Sequence, residues 1–297
     1  MEKIIDLHIH TNVSDGQLSP KEVVDMAVRN GASVIAIADH DTVDAYSDKL
    51  FDYAEERNLI LVPAVEISTK TKKCGIHVLG YNFDLNDENL KKELSKLRNA
   101  RHDYLYGVAS KLEELGYVLN TEELDKIESV TKAHIANDVV SNEVNHELLM
   151  KEFGHIPGKG EFIETIMNEG CPAYVKKASI TPKDAAELIR KAGGKAVLAH
   201  PVAYKYEDGL TDEDILELIK EMKVDAIEAN YHYVDRNDNK IEESGHWKEF
   251  AKEHNLLCSV GSDFHLDDGI RPVIGFKNWD IEFSKEDAYK ILDYLSN

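Results

Sequence analysis

The chain has 297 residues, 42% of them hydrophobic and 31% charged, and carries a formal net charge of −21. That length suits one large α/β domain or two ordinary ones, and no apolar run approaches the length a bilayer crossing needs. So large a negative charge disfavours nonspecific binding along duplex nucleic acid, which needs basic surface to displace counterions, and no duplex partner is expected.

A small phosphorylated ligand, or the end of an oligonucleotide held at a local cationic site, remains compatible with that charge, and bound metals would supply such a site. The start, Met1-Glu2-Lys3 followed by Asp6 and His8, lacks the apolar core of a signal peptide. Cys74, Cys171 and Cys258 are scattered and form no CxxC pair. A reduced, cytoplasmic protein is expected.

The first predicted element is the short apolar strand Ile4-Ile5-Asp6-Leu7-His8-Ile9-His10. Side chains alternate along a strand, so His8 and His10 share a face. Asp15 follows in a glycine-containing turn, Ser14-Asp15-Gly16, from which a carboxylate can curl back toward them. Ser19-Pro20-Lys21-Glu22 is a capping box with proline at the first helical position, and the helix stops at Asn30-Gly31. Ser33–Ala38 is a continuous apolar run, as for a strand covered on both faces, and it ends in Asp39-His40-Asp41-Thr42. A helix over residues 43–57 leads to Leu59–Val65, which ends in Glu66. This βαβαβ alternation predicts a parallel sheet or barrel.

The strand-like piece Ile76-His77-Val78-Leu79-Gly80-Tyr81 comes next, and then the alternation breaks. Residues 86–170 read as a helical insertion or cap, with residues 1–85 and 171–297 forming the barrel domain. After the insertion a helix following Thr181-Pro182 leads to the strand Ala196–Ala199, which ends in His200-Pro201. A helix near 212–222, the strand Ala226-Ile227-Glu228, a helix near 240–254 and the strand Leu256–Val260 complete the pattern. That last strand ends in Gly261-Ser262-Asp263-Phe264-His265. The strands suffice for a closed barrel of (β/α) type, whose working residues sit at the C-terminal strand ends.

Those ends collect His8, His10, Asp15, His40, Glu66, His77, His200, Asp263 and His265. Each has a bland explanation alone, as a solvated turn or a hydrogen-bonded loop residue. One shared multinuclear metal centre explains them together. Imidazole and carboxylate without paired thiolates suit Mn, Fe or Zn better than Mg or Ca.

The motifs Asp6-Leu7-His8-Ile9-His10-Thr11, Ser14-Asp15-Gly16, Ala38-Asp39-His40-Asp41-Thr42, Val65-Glu66-Ile67-Ser68, His77–Tyr81, Ala199-His200-Pro201 and Gly261–His265 together resemble the PHP (polymerase and histidinol phosphatase) family. The resemblance implies a distorted (β/α)7 TIM-like barrel holding two to three divalent metal ions. Carried over by position, it implies that His8, His10, Glu66 and Asp263 hold one metal and Asp15, His40 and His265 a second. Glu66, His77 and His200 would hold the third, with Glu66 bridging.

Within that family, Arg98-Asn99-Ala100-Arg101, Lys132-Ala133-His134-Ile135-Ala136, Pro172–Lys177 and the run from Ala192 to Pro201 are similar to the branch that hydrolyses nucleotide phosphates. Its activities include removal of the 3′-phosphate from nucleoside 3′,5′-bisphosphates and 5′→3′ trimming of short RNA. Lys132 and Asn137 depart from that branch, which usually has arginine at the first position and often at the second. Lysine neutralises a phosphate but cannot make the bidentate fork, which leaves the substrate's identity open.

The resemblance implies that His134 and Lys177 face the cavity and act on substrate, His134 also as a proton donor beside Asp263 and His265 in the catalytic set. Arg98 and Arg101 share a helix face and are candidates to clamp phosphate. Lys132, Lys176, His232 and Arg271 complete the candidate substrate-binding set, while Tyr231 and Tyr233 read equally as base-pocket or core aromatics. His102, His146, His155, His246 and His254 are assigned to surface or structural roles.

The expected activity is that of a metal-dependent phosphoesterase, using a hydroxide that bridges two metals to attack phosphorus in line. The alternatives are a histidinol-phosphate or sugar-(cyclic)-phosphate phosphoesterase, and a non-catalytic metal-binding module. An amidohydrolase barrel also opens with HxH, but it typically lacks an early ligand such as Asp15 and the Asp263-Phe264-His265 ending.

Overall fold

The computed structural model describes residues 4–125, 130–176, 178–235, 238–279 and 283–297, with the Arg101 side chain outside the description. Seven strands form one sheet: β1 (Ile4–Ile9), β2 (Ala32–Ile37), β3 (Ile60–Lys70), β4 (Gly75–Tyr81), β5 (Lys195–Leu198), β6 (Ala226–Asn230) and, after the small hairpin of β7 (His232–Val234) and β8 (Lys240–Glu242), β9 (Leu257–Val260). The sheet order β1-β2-β3-β4-β5-β6-β9 closes into a barrel just beyond β9. There Asp263 N–H donates to His8 O (2.8 Å) and His10 N–H to Phe264 O (2.9 Å).

Neighbouring barrel strands run parallel except around β4, which is antiparallel to both β3 and β5. The cause is local. Only residues 71–74 join β3 to β4, folded by Thr71, whose Oγ1 accepts from the Lys73 and Cys74 amides. A parallel return needs a crossover of roughly a dozen residues, whereas an antiparallel one needs only a tight turn. The parallel sheet expected from the alternation is therefore distorted at this one strand.

The barrel core takes Leu7, Ala36, Ala64, Leu79, Val197, Ala226 and Val260, one from each barrel strand. Tyr81 spans it, its hydroxyl donating to Leu7 O at 2.9 Å. The opposite face of β2 presents Ile35 and Ile37 to Val23, Val24 and Ala27 of the helix Pro20–Asn30. That helix is capped as expected, with Ser19 N–H donating to Glu22 (2.8 Å) and Gly31 left-handed at φ +85°.

Two expected helices are shorter than their apolar patterns. The 43–57 segment is helical only over Asp48–Glu55, because Ser47 caps it by accepting from Leu50 N–H. The 240–254 segment gives up residues 240–242 to β8, leaving the helix Ser244–Glu253. Two further helices, Pro201–Asp208 and Lys285–Ser296, have no counterpart in the sequence reading. No described helix is long and apolar enough to cross a membrane.

The chain divides into two compact units, Met1–Ser95 with Ile180–Asn297, and Lys96–Ser179. The second has its own core of Leu105, Val108, Leu112, Ile135, Val139, Leu149 and Phe162. The helix Glu88–Glu114 contributes residues to both units.

Candidate metal centre

At the C-terminal end of β1 the alternation of the strand puts His8 and His10 on one face, both fully buried. Their Nε2 atoms lie 3.1 Å apart. The chain then turns back through Gly16, whose amide donates to Thr11 O at 2.8 Å, and this turn carries Asp15 to the cluster. Asp15 Oδ1 stands 3.3 Å from His10 Nδ1 and 3.2 Å from His265 Nε2, and its Oδ2 stands 3.4 Å from His40 Nε2. Asp39, at the end of β2, holds the turn in place. Its carboxylate accepts from Thr11 N–H (2.7 Å), Thr11 Oγ1 (2.7 Å) and Ser14 Oγ (2.6 Å).

Glu66, on the part of β3 that pairs with β4, is the centre of the group and is 1% exposed. Its Oε2 is 3.3 Å from both His8 Nε2 and His10 Nε2 and 3.2 Å from His40 Nδ1. Its Oε1 is 3.0 Å from His77 Nδ1 and from His200 Nε2. Asp263 Oδ1 adds contacts of 3.1 Å to His10 and 3.4 Å to His8, while its Oδ2 accepts from Tyr231 OH at 2.8 Å. All nine side chains expected at strand ends therefore meet. Asp263 and His200, both beyond strand ends, have left-handed backbones at φ +51° and +21°. Such strain persists where the surrounding structure over-determines it.

The donor atoms gather into three overlapping groups, each with its atoms within 4.8 Å of one another: His10, Asp15, His40 and His265; His8, His10, Glu66 and Asp263; and His40, Glu66 and His77. The buried Nδ1 atoms of His40, His77 and His200 have no hydrogen-bond partner among the described residues. For His40 and His77 this holds although Glu66 oxygens stand within 3.2 Å. Donors this close and out of line with one another converge on points between them, as ligands of a shared ion do. The residues fit divalent cations that prefer nitrogen and oxygen.

The electrostatics agree with that fit. Burial works against a charge on His8, yet Glu228, Glu66 and Asp263 overcome it and raise its pKa well above the usual imidazole value. His10 is likewise raised against burial, to about 10, by Asp263 and Glu66. Glu66 and Asp263 are held well below the carboxylate range, against burial, by the histidines around them. Burial keeps His40 well below its ordinary value. A cluster this acidic attracts cations, whether protons or metal ions.

Beside the cluster lies a cleft of about 410 Å³ lined by His40, Glu66, His77, His200, Asp263 and His265 on one side. Tyr204, Glu207, Tyr231 and Tyr233 line it as well. Tyr231 and Tyr233, read from sequence as base-pocket or core aromatics, are both buried and both border this cleft.

Of the other expected substrate residues, His232 and Arg271 belong to the same compact unit as the cluster. His232 is buried with its ring edge-on to Trp279 at 4.8 Å, and Arg271 is paired with Asp268. Neither lines the cleft. Arg98, Lys132, His134 and Lys176 belong to the second unit. There Lys132 donates to Asn168 Oδ1 at 2.8 Å, and His134 Nδ1 accepts from Thr131 N–H at 3.2 Å in a helix cap. Arg98 and Lys176 are exposed. Lys177 lies outside the described residues, as does the Arg101 side chain.

Four buried carboxylates around the site carry no role in the sequence reading, among them Asp41, whose amide donates to Glu66 O at 2.9 Å. Asp39 is the second, and Asp6 is the third, accepting from the Ser262 and Gly275 amides at 2.9 Å each. Glu228 is the fourth, within 3.0 Å of His8 Nδ1. The available signal was a charged residue inside an otherwise apolar strand, as in Ala226-Ile227-Glu228, because acids are almost never fully buried unless paired.

Comparison with known proteins adds four findings. The model of the PHP domain matches residues 6–195. A 5′-3′ exoribonuclease of Haemophilus influenzae is 33% identical over 274 residues, covering 90% of this chain and 91% of that protein. A 3′,5′-nucleoside bisphosphate phosphatase of Chromobacterium violaceum is 26% identical over 265 residues, covering 88% and 87%. Among solved structures, an amidohydrolase from Chromobacterium violaceum superposes with a TM-score of 0.67 at 23% identity, covering 98% of this chain and 96% of that one. At that identity the likeness speaks to the fold alone.

Proposed function

The chain belongs to the PHP domain family, and from that membership we propose that it is a metal-dependent phosphoric ester hydrolase acting on phosphate esters of nucleotides. The substrates we favour are a nucleoside 3′,5′-bisphosphate, an AMP-like monophosphate and the 5′ end of a short RNA. The observation that carries the reading is the convergence of five imidazoles on the buried carboxylate of Glu66, with Asp15 and Asp263 alongside. The relatives named as an exoribonuclease and a bisphosphate phosphatase support the substrate class.

In this reading the nine strand-end side chains are the metal ligands. Divalent ions there would supply Lewis acidity toward phosphoryl oxygens and lower the pKa of water to about 7. The protein's own groups orient the reaction. Tyr231 binds Oδ2 of Asp263, which leaves Oδ1 directed at His8 and His10. Tyr204, Tyr231 and Tyr233 give the cleft an aromatic lining for the organic part of the ester. Arg98, Arg101, Lys132 and His134, from the segment we propose as a substrate cap, and Lys176 and Lys177, which follow it in the chain, are the candidates for holding its anionic groups.

The test is metal removal followed by a substrate panel. Dialysis against a chelator should abolish phosphate release, and Mn²⁺ should restore it. Nucleoside 3′,5′-bisphosphate and short 5′-phosphorylated RNA should be turned over faster than histidinol phosphate or a sugar cyclic phosphate. Activity indifferent to chelation would overturn the mechanism. A preference for either of the last two substrates would overturn the substrate class.

A further inference from the structure

We propose that Glu228 is a positioning residue of the metal centre, one carboxylate that fixes the tautomer of His8 and the backbone of His200. The proposal rests on the reading of His8 and His200 as metal ligands. Glu228 sits in the middle of β6 and is fully buried. Its Oε1 is 3.0 Å from His8 Nδ1, and its Oε2 accepts the His200 backbone N–H at 2.9 Å.

The two nitrogens of His8 face acids on opposite sides. Nδ1 faces Glu228, while Nε2 faces Glu66 Oε2 at 3.3 Å and Asp263 Oδ1 at 3.4 Å. A neutral imidazole has one proton and one lone pair, and the stronger acceptor draws the proton. With Glu228 holding the proton at Nδ1, the lone pair of Nε2 points into the cluster and can bind a cation. Without Glu228 the proton would move to Nε2, drawn by Glu66 and Asp263, and the ring could no longer bind a cation from that side.

The second contact carries the same control across the site. His200 has a left-handed backbone, and its N–H is bound by the carboxylate that orients His8. His8 and His200 stack with ring centres 5.8 Å apart, and each approaches a different oxygen of Glu66. A third observation shows that the fold makes room for this pairing. At Gly261 an added β-carbon would overlap both Glu228 Oε1 and the β-carbon of His8.

The test uses Glu228→Gln, which keeps shape but replaces one carboxylate oxygen, such as the Oε1 that stands nearest His8 Nδ1, with an NH₂ donor and removes the negative charge that attracts the proton. If the remaining oxygen stays with His200, the amide NH₂ meets His8 Nδ1 and favours the wrong tautomer. Metal-stripped parent and variant would be compared by equilibrium dialysis against Mn²⁺, with thermal melting of the metal-free proteins alongside. Loss of a carboxylate partner behind a ligating histidine typically weakens metal binding ten- to a hundredfold. We expect that loss at one class of site, with the metal-free melting curve close to the parent's.

Parent-like Mn²⁺ binding by Glu228→Gln overturns the proposal, while His10→Ala as a control loses metal and so upholds the reading of the centre. Absence of Mn²⁺ uptake by the parent overturns that reading itself, and the proposal with it. Should the variant not fold, nitrogen-15 spectra of the histidines in the Zn²⁺-loaded parent decide the matter. A proton on Nδ1 of His8 and a metal-shifted Nε2 support the proposal. The opposite tautomer sinks it.

Discussion

Glu66 illustrates what a single residue has to balance. A carboxylate 1% exposed and ringed by five imidazoles is tolerable only with positive charge beside it. In the metal-free protein that charge is protons, and His10 keeps one up to about pH 10. A raised histidine pKa contributes stability that is complete below the unfolded value near 6.5 and drains away as pH climbs to about 10. The depressed carboxyls of Glu66 and Asp263 act the other way, contributing above about pH 4–4.5 and losing that contribution as pH falls. Metal-free protein should therefore be most stable between roughly pH 4.5 and 6.5 and weaken toward pH 9. Metal must displace the protons, so its affinity should rise with pH over the same alkaline range. Calorimetric titration of Mn²⁺ at pH 8 in two buffers of different ionisation enthalpy measures the exchange. At least one proton released at the first site is the expected result, and a buffer-independent heat would contradict it.

The turn from Thr11 to Gly16 shows how an element serves the site. A β-carbon at residue 16 would overlap the His10 carbonyl and come within 2.8 Å of Thr11 N, both backbone atoms that cannot swing aside. Gly16→Ala must therefore open the turn and withdraw Asp15 from His10, His40 and His265. We expect Mn²⁺ to dissociate from one site about ten- to a hundredfold more readily, much as when a ligand's support is removed. The barrel core, built from residues outside this turn, should keep the secondary structure seen by circular dichroism. Parent-like affinity would mean that Asp15 is not held by this turn. The turn was legible in the sequence because Ser14-Asp15-Gly16 is turn chemistry next to a strand bearing HxH, and both signals are local. The strand-end histidines were legible for the same reason. The direction of β4 was not, because it depends on the shortness of residues 71–74 rather than on the strand's own pattern. Nor was the role of Glu228, whose partners His8 and His200 lie 220 and 28 residues away and become neighbours only when the barrel closes. Residues 240–242 read as the start of a helix, yet they pair with β7, and the helix begins only at Ser244.

At the scale of the molecule, a net charge of −21 confronts an anionic substrate. Bound divalent ions would make the cluster locally positive, so the two fields oppose each other, and their ranges decide which one a substrate feels. At about 10 mM salt the Debye length is about 30 Å, and an approaching nucleotide senses the whole acidic molecule. Near 150 mM it shrinks to about 8 Å, and only the groups lining the cleft still act. Raising KCl from about 10 to 150 mM should thus relieve long-range repulsion and increase kcat/KM for a nucleoside bisphosphate. The increase should lie in the approach of substrate, leaving kcat nearly constant. A basic nucleic-acid-binding surface would behave oppositely, losing affinity steeply with salt through counterion release. Steady-state rates across that series, with metal held saturating, distinguish the two. A fall in kcat/KM with salt would mean that the local field of the centre and its cationic side chains outweighs the charge of the chain as a whole.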